Sequence, residues 1–246
     1  YEDPWMHHDY ERLPDGNTLI VKWEPLPKSM IRKVKGGYQN DKDDPGHMLG
    51  DVVLEVTREG ETIRKWKSWE HLDPTTEIIC PLDHRMEWTH CNSISRTPKG
   101  NWLLSFRRIS LLCEVNPKTG KIVWKWGDGT TSRQHDAKYS SSKTITVFDN
   151  GVHRKHNLDY SRAIEIDAKS KKILWEYSDN PVFSFYSYFG GGVDYLPNGN
   201  YLICETAKGQ LFEVTRDKKV VWEFNEFELV GNGLACWQVL DGKAAT

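Results

Sequence analysis

The phrase Leu-Pro-Asp-Gly-Asn-Thr-Leu-Ile occupies residues 13–20, and close copies of it return along the chain. The copies are Thr-Pro-Lys-Gly-Asn-Trp-Leu-Leu at 97–104, Leu-Pro-Asn-Gly-Asn-Tyr-Leu-Ile at 196–203 and the degenerate Tyr-Ser-Ser-Ser-Lys-Thr-Ile-Thr at 139–146. Proline presets φ for a turn, and Gly and Asn accept the positive φ that a tight connection between strands needs. Each copy therefore predicts a β-hairpin.

A second phrase follows each hairpin and ends in tryptophan. It reads Cys-Glu-Val-Asn-Pro-Lys-Thr-Gly-Lys-Ile-Val-Trp at 113–124, and its copies lie at 54–66, 164–175 and 212–222. Two hairpins per unit make a four-stranded antiparallel sheet, and the spacing of the final tryptophans is close to the period of about 40–50 residues in propeller blades. We predict an all-β fold, a β-propeller of four-stranded antiparallel blades. A β-sandwich is the alternative, but it does not require the same phrase four times.

Four complete blades are predicted, and the insertion loop 26–50 lies inside the first because it lacks periodicity. The predicted blades span about 7–68, 87–126, 134–178 and 187–224. The chain opens with Tyr-Glu-Asp-Pro at 1–4, which resembles the end of a blade-closing phrase without its tryptophan. We therefore expect residues 1–246 to form a single propeller domain, truncated at its N-terminus and part of a six-bladed ring. A closed four-bladed ring is the alternative.

The composition argues against several classes of protein function. The 33 Lys and Arg residues nearly balance the 35 Asp and Glu residues, which argues against a protein held mainly by nucleic-acid phosphates. No apolar run approaches the roughly 18–20 residues that span a bilayer, so no membrane span is expected. The five cysteines are odd in number and lack CxxC spacing, so the sequence indicates neither a disulfide framework nor a structural zinc site.

Histidines recur where the first strand of a predicted blade begins. His7 and His8 precede the first turn phrase, His90 precedes the second and His135 precedes the degenerate third. The first strand of a propeller blade is the innermost, so we expect histidines from three blades to converge near the central channel. The fourth blade carries glycines at 190–192, which we expect to leave room for a bound molecule. For any one histidine, a structural role satisfied by water or by a neighbouring blade is the alternative.

Other polar residues near these histidines suit the binding of an anion. Arg107 and Arg108 lie in Ser-Phe-Arg-Arg, where we expect them to follow the inner strand of the second blade. A planar guanidinium binds sulfate, phosphate or carboxylate with two hydrogen bonds. Strand alternation predicts that one of them faces the channel side and the other faces away. Asp149 lies in Asp-Asn-Gly, which is also typical of a turn. The candidate substrate-binding residues are His7, Asn92, Arg108, Gln134, Asn150 and Arg162.

Several motifs in this order resemble the arylsulfate sulfotransferase family of propeller proteins. They are Glu-Trp-Thr-His-Cys-Asn-Ser-Ile at 87–94, Leu-Leu-Ser-Phe-Arg at 103–107, Lys-Thr-Gly-Lys-Ile-Val-Trp-Lys-Trp-Gly at 118–127, Gln-His-Asp-Ala at 134–137, Phe-Asp-Asn-Gly at 148–151 and Tyr-Ser-Arg-Ala-Ile-Glu-Ile-Asp at 160–167. The resemblance covers the chain from His7 to about Phe224. The His-x-Asn-Ser, Gln-His and Phe-Asp-Asn-Gly set is its most specific part.

The resemblance implies transfer of a sulfuryl group from an aryl sulfate donor to a phenolic acceptor through a sulfohistidine. It implies that His135 is the nucleophile and that His90, Arg107 and a histidine of the first blade, His8 or His7, complete the catalytic set. The expected partners are small aromatic sulfates and phenols, with no metal and no cofactor. A periplasmic or secreted location follows if the protein is like the described members, and a cytoplasmic one is the alternative.

Two other classes of function fit the same residues. Three histidines with a carboxylate such as Asp9 or Asp136 suit a divalent metal, because neutral imidazole binds zinc, copper or iron. We expect a metal-free site, because Arg107 beside the histidines would repel a dication and attract an anion. A propeller without chemistry, acting as a binding scaffold, is the remaining alternative.

Overall fold

The computed structural model describes residues 1–127, 129–155 and 158–225, and the chain forms two compact units, Tyr1–Thr130 and Thr131–Thr246. The regular structure is almost entirely β, in four four-stranded sheets and one two-stranded sheet among the described residues. The predicted fold class, all-β with four-stranded antiparallel blades, is confirmed. The blade limits, the single domain, the six-bladed ring and the truncated start stay predictions. Residues 226–246, which the single-domain prediction includes, lie outside the described residues.

The first unit contains two four-stranded sheets. The first sheet consists of β1 (Met6–Arg12), β2 (Thr18–Pro25), β4 (Leu49–Val56) and β5 (Thr62–Lys67). The second consists of β7 (Cys91–Arg96), β8 (Trp102–Phe106), β9 (Leu111–Val115) and β10 (Ile122–Trp126). In both sheets, strands that follow each other along the chain pair antiparallel.

The expected insertion loop 26–50 contains regular structure. It holds a one-turn helix, α1 (Lys28–Ile31), and the short strand β3 (Gly36–Tyr38), which pairs in parallel with β6 (Ile79–His84). A 3-10 turn at Ser68–Glu70 separates β5 from β6. Periodicity could not predict β3, because three residues are too few to show alternation.

The second unit also contains two four-stranded sheets within the residues that the structure describes. One consists of β11 (His135–Tyr139), β12 (Thr144–Asp149), β13 (Arg162–Asp167) and β14 (Ile173–Tyr177). The other consists of β15 (Gly192–Tyr195), β16 (Tyr201–Glu205), β17 (Gln210–Val214) and β18 (Val220–Asn225), and 3-10 turns lie at Val182–Ser184 and Thr206–Lys208. Across the described part of the chain, no helix is long and apolar enough to cross a membrane.

The repeated tryptophan at the end of a blade ties it to the next blade within each unit. Trp66 Nε1 donates to the Gly120 carbonyl oxygen at 3.0 Å, in the turn before the last strand of the neighbouring sheet. Trp175 Nε1 donates to the Arg216 carbonyl oxygen at 2.9 Å in the same way. Both indoles are buried, so each tryptophan adds apolar burial to a directional bond.

A side-chain hydrogen bond ties each intact turn phrase to the third strand of its own sheet. The amides of Asn17 and Asn101 donate to the buried carboxylates of Glu55 and Glu114, at 3.0 and 3.1 Å. Asn200 donates in the same way to Glu213, at 2.6 Å. These bonds explain why Pro-x-Gly-Asn and Glu-Val occur together in the repeats.

The third blade replaces this bond. Its degenerate turn carries Lys143 at the position of the asparagine, and Glu165 accepts instead from Tyr201 Oη and Arg216, both at 2.8 Å. The four glutamates Glu55, Glu114, Glu165 and Glu213 all lie in the third strand of their sheets, as the repeats predict.

We expect Asn101→Ala to lower the free energy of unfolding by about 1.5–3 kcal/mol, because a buried carboxylate loses a donor. Urea unfolding of the full chain measures this change. Asn200→Ala is the matched control, and its loss should be smaller because Glu213 lies nearer to solvent. Equal losses in the two variants would contradict the role given to burial.

Candidate functional site

In three of the four four-stranded sheets of the described residues, the first strand is irregular near its histidine. His8 in β1 has a φ of 57°, His90 just before β7 has a φ of 62°, and Asp136, next to His135 at the start of β11, has a φ of 52°. The pairing with the second strand shifts register at the same places. Bulges and positive φ in residues other than glycine often mark functional sites, because other contacts must hold them.

The sequence predicted that the glycines of the fourth blade leave room for a bound molecule. The structure contradicts this prediction, because side chains fill the space beside them. A Cβ on Gly191 would lie 2.4 Å from the Phe148 ring, and one on Gly190 would lie 3.1 Å from Thr206. Gly190 and Gly191 both have positive φ, so only glycine fits this turn without strain. They make room for packed side chains of the same unit.

The first unit brings its three predicted histidines together. His7 Nδ1 lies 2.7 Å from His8 Nδ1, and His8 Nε2 lies 3.1 Å from His90 Nε2. The His7 ring stacks on Trp23 with ring centres 3.9 Å apart. His8 is exposed, whereas only 5% of the His7 side chain and 14% of the His90 side chain are exposed.

A carboxylate lies at each end of these histidines, the buried Asp51 and the half-buried Glu87. Asp51 Oδ1 lies 3.2 Å from His7 Nε2, and Glu87 Oε1 lies 2.7 Å from His90 Nδ1. Asp51 also accepts from the backbone N–H and the hydroxyl of Thr89, at 3.0 and 2.8 Å. We call Asp51, His7, His8, His90 and Glu87 the histidine row.

The contacts of the row keep both carboxylates ionised. Burial would raise the pKa of Asp51, but the bonds from His7 and Thr89 outweigh it and lower that pKa. Burial would likewise raise the pKa of Glu87, but His90 and the Arg108 guanidinium lower it well below the usual range.

The central imidazole of the row favours its neutral form. Loss of hydration lowers the pKa of His8, and any positive charge on His90 or His7 lowers it further. Water at the exposed edge of the ring screens part of this effect. His8 is therefore a neutral imidazole at physiological pH, in contact with two other imidazoles.

The lowered pKa of His8 predicts a pH dependence of stability. The unfolded chain takes up a proton at this residue near its ordinary pKa of about 6.5, and the folded chain does not, so stability present above that pH is lost as the pH falls below it. We expect the free energy of unfolding of His8→Gln to fall less steeply than that of the wild type between about pH 6.5 and 5. The difference in slope corresponds to about one proton, the one that His8 takes up when the wild-type chain unfolds. Urea unfolding at several pH values measures it, with the exposed His47→Gln as control. An unchanged slope in His8→Gln would exclude the assigned pKa direction.

The two arginines of the second blade lie beside His90. The backbone N–H of Arg107 donates to the His90 carbonyl oxygen at 2.9 Å, and that of Arg108 donates to the Thr89 carbonyl oxygen at 3.2 Å. The guanidinium of Arg108 contacts Glu87 at 2.9 Å and Asp83 at 3.4 Å. Arg108 is thus held by two carboxylates.

The second unit holds His135, the first residue of β11, in a buried position. Its Nδ1 lies 2.7 Å from Asn150 Oδ1. The Asn150 amide nitrogen donates to the carbonyl oxygens of Ser187 and Gly190, at 2.8 and 2.6 Å. Asn150 is fully buried, so these three contacts account for its whole side chain.

These contacts fix the tautomer of His135. Two carbonyl acceptors require the amide nitrogen of Asn150 on their side, which directs its oxygen towards the imidazole. An amide oxygen only accepts, so His135 Nδ1 must carry the proton. In the neutral ring, the lone pair then lies on Nε2.

Asp149 anchors the segment that presents Asn150. Its carboxylate accepts from the Ser132 backbone N–H at 2.8 Å, from Arg162 Nε at 2.7 Å and from Arg154 at 3.2 Å. Arg162 also contacts Glu176 at 2.8 Å. The Asp-Asn-Gly sequence is therefore more than a turn, because both of its polar side chains are buried and bonded.

The remaining candidates are buried. Gln134 accepts from the Thr131 hydroxyl at 3.2 Å, and Asn92 lies in β7. The sequence motifs did not predict a role for Asp51, Glu87 or Arg133. Arg133, which is 2% exposed and directly precedes Gln134, could have been found from the run Arg-Gln-His, and Glu87 from Glu-Trp-Thr-His.

No group of three or more His, Cys, Asp or Glu side chains within the described ranges is arranged to hold a metal ion. The row itself links each imidazole nitrogen to a neighbour, so its lone pairs point at one another and at carboxylates instead of at a common centre.

We expect Asn150→Ala to lower the free energy of unfolding by about 2–3 kcal/mol, because two buried carbonyl groups and one imidazole N–H lose their partner. Asn198→Ala, at an exposed turn position, is the control and should have a small effect. Thermal or urea unfolding of the full chain compares them. A loss below about 0.5 kcal/mol in Asn150→Ala would contradict the contacts described.

Comparison with known proteins identifies related sequences. The family model described as Arylsulfotransferase (ASST) matches residues 2–227. Arylsulfate sulfotransferase AssT from Escherichia coli O6:H1 is 23% identical over 90% of this chain and 48% of its own length, and AssT from Lelliottia amnigena is 20% identical over 81% and 46%. The chain spans about half the length of these relatives.

Solved structures share the fold. A Bacteroides caccae protein of unknown function superposes with a TM-score of 0.56 at 19% identity, over 90% of this chain and 67% of that one. A catalytically inactive virginiamycin B lyase from Staphylococcus aureus with quinupristin gives 0.51 at 10% identity, over 91% and 71%. At these identities the likeness concerns the fold alone.

Proposed function

The chain belongs to the arylsulfotransferase family, and from this premise we propose that it moves a sulfuryl group from an aryl sulfate to a phenol through a sulfohistidine at His135. Family membership supports sulfuryl transfer in general. The observation that carries the finer proposal is the bond between His135 Nδ1 and Asn150, because it leaves the lone pair of a neutral imidazole on Nε2.

In the first step, His135 Nε2 attacks the sulfur of the aryl sulfate. The N–S bond forms as the S–O bond to the aryl oxygen breaks, and the electron pair of that bond leaves with the phenolate. The Nδ1 proton stays on the ring, where Asn150 Oδ1 stabilises the positive charge that the ring acquires. In the second step, an acceptor phenol gives its proton to a base, for which His8 and His90 are the proposed candidates, and its oxygen attacks sulfur. The new O–S bond forms as the N–S bond breaks, and the N–S electron pair returns to Nε2 of neutral His135.

The contacts of the other predicted residues suggest three kinds of contribution: assisting the reaction, binding substrate and positioning other side chains. We propose that His8, His90 and Arg107 assist the reaction by binding sulfuryl oxygens and by exchanging the phenolic proton. His7, Asn92 and Gln134 stay candidates for substrate binding. Arg108 and Arg162 each contact two carboxylates, so their proposed contribution is to hold Glu87 and Asp149 in place.

The aryl sulfate and phenol substrates are proposals as well, because the chain spans about half of its curated relatives. Burial of His135 favours a small or flat donor, since a nitrogen in a buried ring must be reached through a narrow approach. Aryl sulfates with compact rings are the donors to test first.

We expect His135→Ala to abolish both sulfuryl transfer and the mass increase of one sulfuryl group that the wild-type chain shows after incubation with 4-nitrophenyl sulfate. The measurement is intact mass at high pH, because sulfur–nitrogen adducts of histidine are acid-labile, followed by mapping of the labelled peptide. Arg107→Ala should slow transfer about 10²–10³-fold and still allow labelling of His135.

His47→Ala is the matched control, since His47 is exposed and is not one of the proposed catalytic or substrate-binding residues. It should label and turn over like the wild type. Unchanged turnover in His135→Ala, or a label on another residue, would contradict the proposal. Loss of wild-type activity on chelation, with one equivalent of bound metal, would favour a metalloenzyme instead.

A further inference from the structure

The turn at residues 187–190, which leads into the fourth blade, is held close to His135. The Asn150 side chain accepts from His135 Nδ1 at 2.7 Å. The same side chain donates to the carbonyl oxygens of Ser187 and Gly190, at 2.8 and 2.6 Å. Hydrogen bonds of this length through one amide group place the backbone of the turn within about 8 Å of the imidazole.

Two further contacts, both within the second unit, place this turn at the same end of the sheets as His135. The Asp136 carboxylate accepts from the Val193 backbone N–H at 2.8 Å, so the starts of β11 and β15 lie side by side. A Cβ on Gly191 would lie 2.4 Å from the ring of Phe148, which pairs with His135 across β11 and β12. The turn therefore lies just beyond the end of β11 that begins with His135.

Buried hydrogen bonds fix the backbone of the turn. The N–H of the fully buried Ser187 donates to the Ser161 hydroxyl at 2.9 Å, and the Ser187 hydroxyl donates to the Phe189 carbonyl oxygen at 2.6 Å. The same hydroxyl accepts from the Ala207 backbone N–H at 3.1 Å. Together with the bonds from Asn150, these contacts hold three of the four carbonyl oxygens of the turn. The side chains at its tip therefore project from a fixed backbone.

The two side chains at the tip of the turn are aromatic and exposed. Tyr188 is 57% exposed and Phe189 is 37% exposed, whereas Ser187 and Gly190 on either side are buried. The two rings lie with their centres 4.6 Å apart and their planes inclined by 63°. Removing aromatic surface from water is favourable, and aromatic rings attract one another both face to face and edge to face. The two inclined rings form a corner in which a flat aryl group faces one ring and meets the edge of the other.

We propose that Tyr188 and Phe189 bind the aryl group of the substrate while its sulfuryl group lies at His135. This inference rests on the proposed sulfuryl transfer, and it assigns the residues that select an aromatic donor. In an aryl sulfate a single oxygen atom joins the ring to the sulfuryl group, so the protein groups that bind the two parts must lie close together. The turn and His135 meet this condition because both are bonded to Asn150.

Exposure alone does not distinguish these two rings from others in the same connection between blades. Phe183 is 63% exposed and lies in the 3-10 turn Val182–Ser184. The Asn150 amide nitrogen uses both of its hydrogens on the 187–190 turn, so Phe183 has no share in this link to His135. Phe183→Ala is therefore the matched control for substitutions at the tip of the turn.

Binding of the aryl group is measured without any activity, by calorimetric titration of the full chain with 4-nitrophenol and, separately, with sodium sulfate. We expect Tyr188→Ala and Phe189→Ala each to weaken 4-nitrophenol binding about tenfold and to leave sulfate binding unchanged, because only a contact with the ring is lost. Tyr188→Phe and Phe183→Ala should bind both probes like the wild type. Unchanged 4-nitrophenol affinity in both Ala variants, or no binding of 4-nitrophenol to the wild type, would overturn the proposal.

The role in the reaction is measured with 4-nitrophenyl sulfate as donor. The ring keeps the same contacts in the ground state and in the transition state, so their loss should raise KM and spare kcat. We expect Tyr188→Ala and Phe189→Ala to raise KM about tenfold and to change kcat less than about threefold. Phe183→Ala should change neither constant. A fall in kcat at an unchanged KM would contradict a role in binding the ring.

The two proposals fail in different ways. Absence of any sulfuryl label in the wild-type chain would overturn the proposed function, while the titration with 4-nitrophenol would still test the turn. A labelled His135, together with Ala variants that bind 4-nitrophenol like the wild type, would overturn the aryl-binding role alone. If either Ala variant unfolds at a lower urea concentration than the wild type, Phe189→Leu decides the outcome. It keeps an apolar side chain without the ring, and it should still bind 4-nitrophenol more weakly than the wild type does.

Discussion

The candidate site depends on the irregular start of the first strand in the three sheets that carry the predicted histidines. A regular strand would alternate its side chains between two faces, whereas a bulge with positive φ redirects one residue. Such a conformation costs on the order of 1–3 kcal/mol in a residue other than glycine. Here side-chain contacts oppose that cost: His90 binds Glu87, His8 binds its two neighbouring imidazoles, and Asp136 accepts from the Val193 backbone N–H at 2.8 Å.

The same contacts determine the protonation of each imidazole. In the second unit, a buried amide that can only accept at its oxygen assigns the His135 proton to Nδ1. In the first unit, the ionised carboxylate of Glu87 assigns a proton to Nδ1 of His90, 2.7 Å away. A lone pair on Nε2 of a neutral imidazole is what the proposed nucleophilic role of His135 requires.

Much of the fold could be predicted from the sequence because its signals are local. Pro-x-Gly-Asn specifies a turn within a few residues, and the Glu-Val phrases place the third strands. The partners of the histidines could not be predicted in this way. Asp51 lies in the third strand of its sheet and meets His7 only after the sheet has formed, and no motif marks it. The glycines at 190–192 misled for the same reason, since Phe148 fills the space beside them from another sheet.

The tautomer of His135 is the central claim, since the proposed nucleophilic attack from Nε2 requires it. ¹⁵N NMR of the wild-type chain labelled at histidine, with the His135→Ala variant used for assignment, measures it directly at neutral pH. We expect a protonated Nδ1 and an unprotonated Nε2 for this residue. A proton on Nε2 with a bare Nδ1 facing Asn150 would contradict it.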